Sequence, residues 1–172
     1  MIREIFSSTY LFHGKHATMA RELVDKTGNK LFDTYIDLFI NAAMVGIALH
    51  KKGIKEKGNE NTTKIPFDVI NKRMPKIWLL VQLAVLTDSD LNLSKDDRLE
   101  ALYRHADLSP EYVTLFESFM LGGIEFLHER LYTVGASELQ QATNIGMFLD
   151  DIDENPSISS EEIIELVRNG DH

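Results

Sequence analysis

The chain has 172 residues, no cysteine and a formal net charge of -9, with 44% hydrophobic residues. That length suits one domain with a proper core and is short for two large ones, while the missing cysteine excludes disulfides, thiolate metal sites and cysteine nucleophiles and fits a reducing compartment. The charge is split along the chain, with thirteen Lys and Arg against eight Asp and Glu through Val85 and five against nineteen from Leu86 onward, which argues against general nucleic-acid binding.

Met1 to Phe12 lacks a basic region followed by a long apolar run and a small-residue cleavage site. The longest apolar segments, Leu38 to Leu49 and Ile77 to Leu86, fall short of the ~20 residues that span a membrane, so a soluble cytoplasmic protein is expected. Met1 to His13 mixes Ile, Phe, Thr and Tyr with short polar spacers and reads as an arm packed on helices, lacking an obvious partner strand. His16 to Lys26 predicts a short amphipathic helix with Met19, Leu23 and Val24 inward, stopped by Thr27-Gly28-Asn29. Leu31 to Lys52 predicts the central helix. Its apolar residues Leu31, Tyr35, Leu38, Phe39, Ala42, Ala43, Gly46 and Leu49 follow helical spacing, and Asp33, Asp37 and Asn41 form a polar stripe.

Lys51 to Ile65 is glycine- and asparagine-containing with few apolar residues, and reads as a mobile surface loop that ends at Pro66. Pro75 opens a helix that is apolar nearly all round, with Trp78 as a packing residue. Ser94 caps a charged helix to about Ala106, with Leu99, Leu102 and Tyr103 inward. Ser109-Pro110-Glu111 starts a long helix to about Leu131. Gly122 and Gly123 inside it each cost roughly 1 kcal/mol relative to alanine, which points to a close backbone crossing with Ala42, Ala43 and Gly46 as the complement. Beyond Thr133-Val134-Gly135, Ser137 can cap a helix to about Leu149, and Ser159 with Glu162 forms a capping box for a last helix ending near Gly170. The expected fold is all-α: a compact multi-helix core over 1–131 and an acidic helix-turn-helix extension over 132–172.

Few patterns carry chemistry. Asp151 to Glu162 has calcium-loop spacing, with Asp151, Asp153, Asn155 and Glu162 as oxygen donors and Ile158 at the apolar eighth position, and so resembles an EF-hand. Pro156, however, stands where that loop needs glycine, and helix capping explains Ser159 and Glu162 equally well. Glu125-x-x-His128 is half of a di-iron helix motif whose second half is missing. Asp33 and Asp37, one turn apart, could hold Mg²⁺ for a phosphohydrolase, but no other acidic motif completes that set. Lys51, Lys52, Lys55, Lys57, Lys64, Lys72, Arg73 and Lys76 make Lys51 to Lys76 the one place a phosphate backbone could dock, although interleaved aromatics are missing. There is no glycine-rich phosphate loop, no G-x-S-x-G and no paired histidines at metal spacing. No residue is therefore assigned a catalytic, cofactor or metal role.

Phe32 to Gly46 and Phe119 to Leu131 resemble the paired signatures of small helical accessory proteins encoded beside bacterial DNA phosphorothioation (Dnd) and related phage-defence genes. The resemblance runs from Thr18 to Leu131 and is carried by Phe32, Tyr35, Asp37, Ala42, Ala43, Gly46, Gly122, Gly123 and Glu125. It implies a setting in DNA modification or anti-phage restriction, and no catalytic residues. The expectation is a non-enzymatic adaptor that binds a partner protein, with an acidic surface at the C-terminal helices and the Asp33/Asp37 edge meeting a basic DNA-processing subunit. The alternatives are a nucleic-acid contact through Lys51 to Lys76 and a calcium module at Asp151 to Glu162.

Overall fold

The computed structural model describes residues 6, 8–24, 31–58, 60–103 and 110–132, together with 140, 143, 144, 146 and 147. The chain runs through strand β1 (Tyr10–His13), helices α1 (Gly14–Leu23) and α2 (Tyr35–Ala48), strand β2 (Thr62–Ile65), and helices α3 (Phe67–Lys72), α4 (Met74–Thr87), α5 (Lys95–Tyr103) and α6 (Pro110–Leu131). Met1–Tyr132 forms one compact unit and Thr133–His172 a second.

The largest interface joins α2 to α6. Small residues make it possible, as their spacing predicts. A Cβ on Gly123 would lie 1.8 Å from the Ala42 carbonyl oxygen, and one on Gly46 would lie 1.9 Å from that of Phe119. Backbone therefore meets backbone, and no side chain fits between the two helices. Around this crossing Phe39, Phe116, Phe119, Met120 and Ile124 are fully enclosed, with Ile77, Val81 and Ala84 of α4 beside them. Trp78 is buried at 6% exposure and packs as expected.

The fold is mostly helical but departs from all-α. β1 and β2 pair antiparallel, with Tyr10 opposite Ile65 and Phe12 opposite Thr63. Tyr10 and Phe12 alternate inward on β1 and stack edge-on, their ring centroids 5.1 Å apart, and Tyr10 meets Phe39 at 5.2 Å. The N-terminal segment is thus a strand. Its partner lies some fifty residues on, inside the stretch expected to be a loop, and no local pattern announces such a pairing.

The rest of that stretch is also tied down. Gly53 is buried, its N–H donates to the Ser118 carbonyl at 2.8 Å, and a Cβ there would lie 2.7 Å from the Gly122 nitrogen. Asn61 donates to the Gly14 carbonyl and the Thr18 hydroxyl, both at 2.8 Å, and Arg21 donates to Asn61 at 2.6 Å. Gly53 and Asn61, read as signs of mobility, serve close approach and hydrogen bonding.

Element ends shift for identifiable reasons. α2 begins at Tyr35 because Thr34 caps it, its hydroxyl accepting from the Asp37 N–H, and the helix stops at Ala48 before His50 takes a φ of 50°. α1 starts at Gly14, directly after the last paired residue of β1, His13, and two residues before the expected His16, with Gly14 at φ +56° making the turn. α3 is a short helix that the sequence reading did not separate from the basic region. Leu99 of α5, expected inward, is 40% exposed. The predicted helices of the C-terminal extension and the calcium-like loop Asp151 to Glu162 lie outside the described residues, apart from positions 140, 143, 144, 146 and 147.

Candidate functional site

Helices α1 and α6 face each other through two carboxylate–histidine pairs. His16, 1% exposed, donates from Nε2 to Glu125 Oε1 at 2.8 Å, and Lys15 reaches the same oxygen at 3.1 Å. One helical turn on, His128 Nε2 meets Glu22 Oε2 at 2.6 Å, and the His128 ring stacks on Tyr132 at 4.7 Å. Glu125-x-x-His128 therefore spends its two members on α1 rather than presenting half of a di-iron site. Burial lowers the His16 pKa, and the Glu125 carboxylate opposes that only in part. His16 is accordingly a buried, neutral donor to a partly exposed carboxylate, an arrangement that orients both groups.

A second cluster closes the end of α4. Asp88, 1% exposed, accepts from Lys52 Nζ at 2.8 Å, and Asp90 accepts from the same ammonium at 2.8 Å. His50 Nε2 lies 3.7 and 3.5 Å from these carboxylates. Partial desolvation lowers the Lys52 pKa, but the hydrogen bonds and charges of Asp88 and Asp90 outweigh it and the net shift is upward. Asp90 moves down in turn, chiefly through its hydrogen bond from Lys52. Arg98 of α5 donates to the carbonyls of Val85, Leu91 and Asp88, at 2.8, 2.6 and 2.6 Å, and so satisfies the open end of α4.

His50, Asp88 and Asp90 are the one set of three such side chains among the described residues whose ligand atoms converge closely enough for a metal ion. Lys52 already fills the position a cation would take. An ammonium 2.8 Å from both carboxylates supplies the charge that the buried Asp88 requires, so the arrangement is a saturated ion-pair network. Sequence reasoning missed it, because Asp88 and Asp90 lie in a turn nearly forty residues from Lys52.

The polar stripe on α2 is likewise occupied. The Asp37 carboxylate accepts from the Thr34 hydroxyl that caps the helix, and the Asn41 amide donates to the Asp37 carbonyl at 2.8 Å. Asp33 is exposed outside the helix, so the two carboxylates play different local parts. The basic stretch divides in two. Lys52 and Lys55 are engaged, Lys55 with Glu117 at 2.9 Å, and Lys51 lies over the Phe126 ring. Lys64, Lys72, Arg73 and Lys76 are exposed on β2, α3, the α3–α4 junction and α4.

Beside Lys55 and Glu117 opens a cleft of about 330 Å³, lined also by Ser8, Thr9, Tyr10 and His13. The Tyr10 hydroxyl is the one buried side-chain polar atom among the described residues without a hydrogen-bond partner. Burial, reinforced by the negative charge of Glu117, pushes its pKa well up, so it stays a neutral phenol. No helix among the described residues is long and apolar enough to cross a membrane.

A family model described as DNA sulphur modification system-associated protein 4 matches residues 13–166 of the chain. Compared with curated proteins and with solved structures, the chain matches none.

Proposed function

Because the chain belongs to the family described as DNA sulphur modification system-associated protein 4, we propose that it is a non-enzymatic accessory subunit of that system, an adaptor that binds a partner protein in anti-phage defence. One observation carries the reading: the conspicuous ionisable groups of the described core are spent on each other. Glu125 holds His16 and Lys15, Glu22 holds His128, Asp88 and Asp90 hold Lys52, and Glu117 holds Lys55. These pairs tie α1 to α6, and the segment after α2 to α6 and to the turn after α4, as a scaffold requires.

The partner we propose is a basic DNA-handling subunit, met by the acidic residues of the 132–172 extension. Affinity capture of the tagged full-length chain from its host, compared with a truncation after Tyr132, tests this. Stoichiometric recovery of a protein of the modification system, lost on truncation, is expected; recovery of the chain alone would refute it.

A second reading, direct contact with nucleic acid, draws on the exposed Lys64, Lys72, Arg73 and Lys76, none of which pairs with an acid among the described residues. Such contact would weaken steeply with salt. A gel shift that shows no binding even at low salt removes it.

A further inference from the structure

A helix on the surface of a protein normally turns charged residues outward; α4 does the opposite. Its sequence, M-P-K-I-W-L-L-V-Q-L-A-V-L-T, holds a single charged side chain, Lys76. Ile77, Trp78, Val81, Ala84 and Val85 bury one side of it against the core. The other side carries Leu79, Leu83 and Leu86, exposed at 61%, 40% and 39%. These positions are spaced i, i+4 and i+7 and form one ridge about 10 Å long on an α-helix. Core packing is complete without them, since the inward residues of α4 are already enclosed. A lone exposed leucine needs no explanation, but three in register on a helix otherwise free of charge form a surface shaped for contact.

The ends of the ridge say what kind of surface it meets. Lys72 and Arg73 immediately precede α4 and Lys76 lies in its first turn, all three exposed and none in an ion pair among the described residues. The positive end of the helix dipole adds to them. A leucine ridge of i, i+4 spacing fits the groove between the side-chain rows of another helix.

We propose that the outer face of α4 is the docking surface for an amphipathic helix of the partner protein. That helix carries an apolar seam against Leu79, Leu83 and Leu86, and acidic residues at the end that lies over Lys72, Arg73 and Lys76. The inference rests on the reading of the chain as a partner-binding accessory subunit and adds to the contact proposed for the acidic 132–172 extension a second one, of opposite charge, on the core.

Its test uses the full-length chain expressed in its host, with a photo-crosslinking phenylalanine analogue placed at Leu83 and the linked peptide sequenced. The expected product joins Leu83 to a segment of the captured partner with apolar residues at i, i+3 or i+4 and i+7 and acidic residues at one end. Leu79→Gln with Leu83→Gln is expected to weaken capture at least about tenfold while leaving the circular dichroism and thermal midpoint unchanged, because both side chains are exposed. Lys72→Glu, Arg73→Glu and Lys76→Glu together are expected to weaken it at low salt and much less at high salt.

The outcomes separate the two ideas. If the wild-type chain captures no partner, the accessory reading fails and this surface with it. If the wild-type captures a partner and both sets of variants capture it equally well, the accessory reading stands and the α4 surface is wrong. A crosslink from Leu83 to a second copy of this chain, to a basic segment, or binding of the chain to anionic vesicles through the same residues would each overturn the proposed occupant.

Discussion

Substituting Gly123 by alanine pits helix propensity against packing, with a result whose sign the structure decides. In an isolated helix the change stabilises by roughly 1 kcal/mol, because alanine loses less backbone freedom than glycine on folding. At Gly123 the new Cβ would sit 1.8 Å from the Ala42 carbonyl oxygen, 2.6 Å from its carbon and 3.0 Å from the Gly46 nitrogen. These atoms are backbone, so no rotamer change relieves the contact. α2 and α6 must separate by about 1.5 Å to restore ordinary van der Waals distance, which opens gaps among Phe39, Phe116 and Phe119. Overpacking typically costs 1–3 kcal/mol and more where backbone must move, so after the propensity gain the net loss is about 2 kcal/mol. Urea denaturation followed by circular dichroism, with thermal scans beside it, reads the change, and the midpoint is expected to fall by roughly 4–8 °C. Gly146→Ala is the control, since a Cβ there meets nothing within 4 Å. A Gly123→Ala midpoint equal to or above the wild-type value would refute the close crossing.

Acid should loosen the α1–α6 seam through His16. Its folded pKa lies below the ordinary 6.5, so the unfolded chain binds the extra proton first; the stabilisation is full above that value and is lost as pH falls below it. The difference in melting temperature between pH 7.5 and 5.5 should shrink in His16→Gln, which keeps a donor and cannot titrate; an unchanged difference would place the effect elsewhere. Lys52→Met leaves Asp88 buried without its ammonium and is expected to cost about 2 kcal/mol in urea denaturation, with Asp88→Asn restoring part of it in the double variant. Glu56 accepts from the Lys15 N–H at 2.9 Å and caps α1, so Glu56→Ala should cost about 1 kcal/mol and speed hydrogen exchange at the first amides of that helix. Titration with Ca²⁺ in a calorimeter is expected to show no heat, because Pro156 fixes a negative φ where the loop needs glycine; a saturable signal would revive the calcium module.

Periodicity was enough to find what is local. The helical spacing of Leu38, Phe39, Ala42 and Ala43 marks α2, Ser109-Pro110-Glu111 marks the start of α6, and Gly122-Gly123 in a helix marks a close approach by another backbone. Each is a property of one segment, or of one residue type whose cost in that segment demands a reason. The long-range pairings were not legible. Nothing near Tyr10 says that Ile65 will lie across from it, and nothing near Lys52 says that Asp88 will be buried beneath it. Hydrogen bonds and ion pairs depend on where the chain returns, and a polar stretch such as 51–65 has the same composition whether it waves in solvent or is held by Gly53 and Asn61. The outward turn of Leu79, Leu83 and Leu86 was hidden for a related reason: a helix apolar all round tells that it packs, while only the surrounding elements decide which of its sides is left uncovered.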